Sequence, residues 1–282
     1  MAHSILITTA QKTKTDRSLQ KKVETLLEGF KGEVGVYAKN LRTGKTISIH
    51  ADTLFPTASM VKIPILLGVM DKINKGELDY HQNLTYKDSL LYAGVDILGS
   101  FKNNEKIELS KVMMLMLTMS DNTASLWLQS LAGGGKRINE ILDSLGFINT
   151  RVNSRTPGRE SNRSQFGWGQ TTPREMATLF EKIYKKEIIS DSISQRMLRL
   201  MGRDYWDEEA ISQVPSGVFV AAKNGAVDES RSETLLVMAP KNPYLFSICT
   251  KNNTDKSWNQ SNEAWTLARK LSALLWQYFV KK

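Results

Sequence analysis

Phe55-Pro-Thr-Ala-Ser59-Met-Val-Lys62-Ile-Pro-Ile-Leu-Leu-Gly-Val-Met-Asp-Lys-Ile-Asn-Lys75 is where strand signals end and helical ones begin. Upstream, Glu33-Val-Gly-Val-Tyr-Ala-Lys39 and Thr46-Ile-Ser-Ile-His50 flank Arg42-Thr-Gly-Lys45 and read as a hairpin. Leu19–Phe30, before them, carries a helical period that stops near Gly32. From Ser59 onward the helical readings are 59–75, 108–119, 122–132, 136–145, 173–186 and 192–202. After Pro215, strand patterns return at 217–222, 233–239 and 244–250, and Asn259–Phe279 is an amphipathic last helix. Strands at both ends with helices between predict an α+β fold. The N- and C-terminal segments build one antiparallel sheet flanked by the end helices, and a mostly helical lobe is inserted. Residues 1–17 are expected to be a signal remnant or loose tail and 18–282 a single domain. Its α/β lobe would span about 18–57 and 203–282, and its helical lobe about 58–202.

Composition narrows the chemistry. The 282 residues, 41% hydrophobic, suffice for a large core, and no run reaches the roughly 20 apolar residues of a membrane span. The net charge of +9 is scattered along the chain, with no dense basic run and no nucleic-acid motif, so a solvated basic surface is expected and no nucleic-acid partner. Cys249 is the single cysteine and sits in an apolar alternating run, as a buried structural thiol would. No His, Cys, Asp or Glu cluster has ligand spacing, so neither a metal nor a cofactor is expected. The three histidines come without a Gly-x-Ser-x-Gly elbow, which argues against a Ser-His-Asp hydrolase. Ser4-Ile-Leu-Ile-Thr-Thr-Ala10 reads as the tail of an export signal, which points to a periplasmic or secreted protein.

A nucleophile needs a base within hydrogen-bond reach. Ser59 and Lys62, three residues apart, share a face if Ser59 opens the helix running to Lys75, and the helix N-terminus adds a partial positive field. Ser-x-x-Lys alone is weak, arising by chance about once or twice in such a chain. Ser120-Asp121-Asn122 lies between two helical runs, where it also suits a simple cap. Lys223-Asn224-Gly225 follows Val218-Phe-Val-Ala-Ala222 and also suits an ordinary strand end. Together, in this order and each on its own kind of element, the three make a set.

With Phe55-Pro-Thr-Ala ahead of Ser59, Thr171-Thr-Pro-Arg-Glu-Met-Ala177 opening a helix and Pro215-Ser-Gly before the Lys223 strand, the chain resembles class A β-lactamases from about residue 20 onward. The resemblance implies a serine β-lactamase working through an acyl-enzyme on Ser59, usually a monomer. Lys62 would take part in proton transfer and Ser120 would relay the proton to the leaving nitrogen. Asn122 would bind the acylamide side chain of the substrate. Lys223 would support Ser120 and attract the substrate carboxylate, with Asn224 beside it. Gly225 would let the strand approach, and the N–H groups of Ser59 and Ala226 would form an oxyanion hole. Tyr92, or a neighbour in 90–95, would wall the cleft.

Three departures stand out. Counting from Thr171-Thr-Pro173, Thr156 occupies the place of the family's loop glutamate, and Glu160 that of an asparagine. Glu160, one turn on, is therefore the candidate base for clearing the acyl group. Asn224 replaces the usual Thr or Ser. Ser232 stands where a carboxylate-binding arginine is often found; its neighbour Arg231 should point away, because side chains alternate along a strand. The same apparatus without the loop glutamate serves D-Ala-D-Ala peptidases of the penicillin-binding type, which is the alternative reading. A non-catalytic protein on this fold would be expected to have lost Ser59 or Lys62.

Overall fold

The structure, a computed structural model, describes residues 14–93 and 97–280; Ser4–Ala10 lies outside them. The chain opens with β1 (Lys14–Thr15), α1 (Arg17–Leu27), β2 (Glu33–Asn40), β3 (Lys45–Ile49) and β4 (Phe55–Pro56). A 3-10 turn over Ala58–Val61 leads into α2 (Lys62–Asn74). The middle of the chain holds β5 (Asn83–Thr85), β6 (Lys106–Glu108), α3 (Leu109–Thr118), α4 (Asn122–Leu131), α5 (Gly134–Ser144) and β7 (Arg151–Val152). There follow α6 (Glu160–Phe166), β8 (Gly169–Thr171), α7 (Pro173–Tyr184) and α8 (Asp191–Met201). The end of the chain returns to strands with β9 (Val220–Val227), β10 (Ser230–Val237) and β11 (Tyr244–Lys251), closed by α9 (Glu263–Val280).

The main sheet runs β1-β3-β2-β11-β10-β9, so strands from both ends of the chain share it. Its neighbours pair antiparallel except β1 with β3. One face packs on α1 and α9 through Leu19, Val23, Val36, Phe246 and Leu271. The other continues into the helical lobe, whose axis is α2. Lys62 through Met70 are all buried there, as expected of a helix that is apolar on every side. Each fully buried Leu, Ile, Val or Met side chain contributes roughly 1.5–3 kcal/mol. Helix α7 crosses back onto the sheet, with Lys39 Nζ 2.7 Å from Glu181 Oε1 and the Arg174 guanidinium 4.8 Å from the centre of the Tyr37 ring.

Several boundaries differ from the sequence reading, and two of the differences stand out. Residues 14–16, expected to belong to the tail, are tied into the fold. Lys14 and Thr15 pair with Lys45 and Thr46, and Asp16 caps α1 by accepting from the Leu19 N–H at 3.2 Å. The strand expected to stop at 222 runs on to Val227 and turns through Asp228-Glu229 into β10, where Val227 faces Ser230. Lys223-Asn-Gly looked like an ending because β9 is an edge strand, so its pattern is not set by a second strand.

Candidate active site

Ser59 sits in the 3-10 turn, one step before α2 proper. Ala58, just before it, holds φ at +43°, a left-handed conformation that costs on the order of 1–3 kcal/mol and is sustained only by its surroundings. Lys62 is the first residue of α2 and is fully buried. Its Nζ lies 2.9 Å from Ser59 Oγ, 3.0 Å from Ser120 Oγ, 2.6 Å from Ser120 O and 2.9 Å from Asn122 Oδ1. An ammonium has three hydrogens, so four oxygens at this range form a shared set with a ready path for a proton between the two hydroxyls. Ser120, in the link between α3 and α4, adopts φ +59°, with its carbonyl and hydroxyl both toward Lys62. Asp121 fixes that link: its carboxylate caps α4 at Ala124 N, 2.7 Å, and takes the Leu98 N–H at 3.0 Å.

β9 forms the opposite wall. A Cβ placed on Gly225 would stand 2.4 Å from Thr57 O and 2.8 Å from Ser59 N, so the strand runs directly against the nucleophile's backbone and leaves room only for hydrogen. Ala226, next along, lines the same cavity as Ser59 and Asn122. That cavity, about 450 Å³, is also lined by Tyr92 and Trp168, whose rings meet edge to face at 5.0 Å. It also reaches Phe166 and Lys251.

Lys223 is fully buried, and burial lowers its pKa, partly offset by Asp204 and Glu233. Its Nζ faces Asn224 Oδ1 at 3.0 Å and Asp204 Oδ2 at 3.7 Å rather than Ser120. Asn224 spends both ends of its amide locally, accepting from Lys223 and donating to Trp206 O at 3.3 Å.

Glu160 is not brought into this cluster. It opens α6 with its side chain exposed and its carboxylate accepting from the Gly158 N–H at 3.0 Å, and it does not line the Ser59 cavity. The expectation that one turn would carry it to the same water fails because the first turn of α6 faces solvent. Thr156 is buried, donating to Ser154 O at 2.9 Å. Arg231 does point away: its guanidinium lies 4.4 Å from the centre of the Trp258 ring and donates to Ser257 O at 2.9 Å. Ser232 is buried opposite Gly225. Sequence reasoning missed Trp168, Asp204 and Glu233. Trp168 lies in the polar, Gly- and Arg-rich stretch 153–170, whose sequence carries neither a helical nor a strand period, and nothing local marked the two acids, which come near Lys223 only through the fold.

A profile of the beta-lactamase enzyme family matches residues 18–279. Beta-lactamase VEB-1 of Pseudomonas aeruginosa is 23% identical over 278 residues, covering 94% of this chain and 91% of its own. Beta-lactamase SME-1 of Serratia marcescens is 25% identical over 252 residues, covering 84% and 82%. Among solved structures, PBP-A superposes with a TM-score of 0.85 at 26% identity, covering 97% of this chain and all of its own. A mutant of PBP-A, solved as an acyl-enzyme complex with penicillin G, superposes with a TM-score of 0.84 at 26% identity, covering 95% of this chain and 98% of its own. With this match over nearly its whole length, the chain belongs to the beta-lactamase enzyme family and is a serine hydrolase of the class A type.

Proposed function

We propose that the protein opens β-lactam amides by acyl transfer to Ser59 and releases the acyl group slowly. The observation that carries this reading is the position of Lys62 Nζ, within hydrogen-bond reach of both Ser59 Oγ and Ser120 Oγ. Acting as the neutral amine, Lys62 takes the Ser59 proton as Oγ bonds to the carbonyl carbon and becomes the ammonium. The C–N bond then breaks, and Ser120 passes a proton to the departing nitrogen, to be replenished from Lys62. The Ser59 and Ala226 N–H groups, on facing walls, suit the developing oxyanion.

Slow release follows from the loop. General-base help to a hydrolytic water is typically worth about 10²–10⁴-fold, and neither Thr156 nor the exposed Glu160 supplies a base in the Ser59 cavity. Glu229, which does line it, is ion-paired with Lys256. This favours a second reading, a D-Ala-D-Ala peptidase on which β-lactams act as slowly released acylating agents. The cavity beside Ser59, about 450 Å³, has room for part of a peptide, and the Ser4–Ala10 segment suits export of a monomeric protein to where cell-wall peptides are found.

Intact-protein mass spectrometry after mixing with a penicillin tests this. The parent should gain one acyl mass, mapped to Ser59, that persists over many minutes. Ser59→Ala should gain none while staying folded, and Glu160→Gln should lose the acyl group within about twofold of the parental rate. An adduct on another residue, or one cleared within a second in the parent, would sink the reading.

A further inference from the structure

The turn that carries Ser120 ends α3, and the last carbonyls of a helix find no partner within it. Three in succession, on Thr118, Met119 and Ser120, accept from donors elsewhere in the fold. The Tyr205 N–H reaches Thr118 O at 3.1 Å, the Trp206 indole Nε1–H reaches Met119 O at 3.1 Å, and Lys62 Nζ reaches Ser120 O at 2.6 Å. Ser120 depends on such contacts, because a φ of +59° is held by a residue with a side chain only where the surroundings impose it.

Two of these three donors come from one dipeptide. Tyr205-Trp206 lies in the stretch between α8 and β9; both side chains are exposed, and their rings meet edge to face at 5.2 Å. Core packing therefore does not account for the indole, whereas its N–H has a defined partner. Trp206 is tied to the other wall of the site as well. Its carbonyl accepts from Asn224 Nδ2 at 3.3 Å, and its backbone N–H donates to Asp204 Oδ1 at 3.2 Å. Asp204 Oδ2 in turn faces Lys223 Nζ at 3.7 Å. One residue thus connects the backbone beside Ser120 with the Lys223-Asn224 stretch of β9.

Lys62 alone is a poor anchor for the turn during reaction. It also contacts both hydroxyls and Asn122 Oδ1, and its own protonation changes as the proton moves. An indole N–H is a donor only, with no proton to gain or lose in that transfer.

We propose that Trp206 is a positioning residue for Ser120: its indole N–H, bonded to Met119 O, holds the Ser120 turn against β9 so that the Ser120 hydroxyl meets the leaving nitrogen. The inference rests on the proposed reading of the Ser59 site, in which Ser120 passes a proton to that nitrogen.

The test compares two acyl donors that differ in their need for that proton. A β-lactam nitrogen must gain a proton as the C–N bond breaks, whereas the sulfur of a thioester departs as a thiolate and needs none. Trp206→Phe keeps an aromatic ring and the backbone bonds and removes only the indole N–H. Acylation of Ser59 by benzylpenicillin, followed by intact mass, should slow about tenfold, part of the 10²–10⁴-fold that a placed proton donor is worth. Acylation by the thioester of phenylacetylglycine with thioglycolate should stay within twofold of the parent. Equilibrium affinity for benzylpenicillin, measured in Ser59→Ala with and without Trp206→Phe, should also agree within twofold. Should the Phe variant not fold, benzothienylalanine at position 206, which has sulfur in place of the N–H, must give the same pattern. Equal slowing with both donors, slowing with neither, or a matching fall in affinity would overturn the proposal. Absence of an acyl adduct in the parent, by contrast, would overturn the Ser59 reading.

Discussion

At the scale of single residues, the site depends on how little space surrounds Ser59. Gly225 shows it most sharply, because any side chain there meets Thr57 O and Ser59 N, both backbone atoms with no rotamer to turn away. Gly225→Ala is therefore expected to push β9 off the nucleophile and widen the gap between the Ser59 and Ala226 amides. A displacement near 1 Å at a reacting centre costs about 10²-fold, so the rate constant for adduct formation should fall by about that much. The melting temperature should fall only modestly. A variant that acylates within threefold of the parent would show that the strand's closeness is incidental. That Ser59, Lys62, Ser120 and Gly225 lie together was legible in the sequence, because each belongs to a short motif with a mechanical reason for its spacing. Glu160 misled for the converse reason. Its place in the chain was right for reaching a water, but only packing decides which side of a short helix faces solvent.

At the scale of elements, the positions that matter are set by how segments are tied together. The turn entering β7 is held by one carboxylate. Glu175 of α7 accepts the N–H groups of Ile148, Asn149 and Thr150 at 2.6–3.1 Å, together with the Thr150 hydroxyl at 2.7 Å. Its own N–H is capped by Thr172 Oγ1 at 3.1 Å. Replacing the carboxylate by an amide sets an NH2 against donors. Glu175→Gln should accordingly lose about 1–3 kcal/mol in urea unfolding, with faster exchange of the amides at 148–150. Unchanged stability would mean that the loop carries its own weight. The long helices and the five long strands of the main sheet were legible from periodicity, because nearly all of them bury one face or, like α2, every face; the short helix α6 and the two- and three-residue strands were not. Nor were the ends of β9 and β10. Lys223-Asn-Gly and Ser230-Arg-Ser-Glu-Thr234 are polar, and they count as strand only because each pairs with the other along the full ladder, a relation between segments that no single segment displays.

At the scale of the whole molecule, buried ionisable groups make stability a function of pH, and two of them pull in opposite directions. Burial opposes ionisation of Glu181, but hydrogen bonds from Lys185 and Lys39 outweigh it and hold its carboxyl below the ordinary 4.5. With its folded pKa depressed, its contribution is present above about pH 4.5 and is lost as pH falls through the lower folded value. Glu233 is the reverse case, raised by burial from 4.5 to about 8. The folded protein keeps a proton there that the unfolded chain releases above about 4.5. Stability therefore declines as pH rises from about 4.5, by on the order of 1 kcal/mol per unit, and levels off above about 8. Taken alone, the two slopes place maximal stability on the acid side of neutrality, despite a sequence pI of 9.4. Urea unfolding of the parent at pH 3, 5, 7 and 9 should trace that maximum. Glu233→Gln, which has no proton to lose, should remove most of the decline between pH 5 and 8 while leaving the acid limb in place. A parent curve rising from pH 5 to 8, or a variant that declines as steeply as the parent, would mean that Glu233 is ionised in the folded protein.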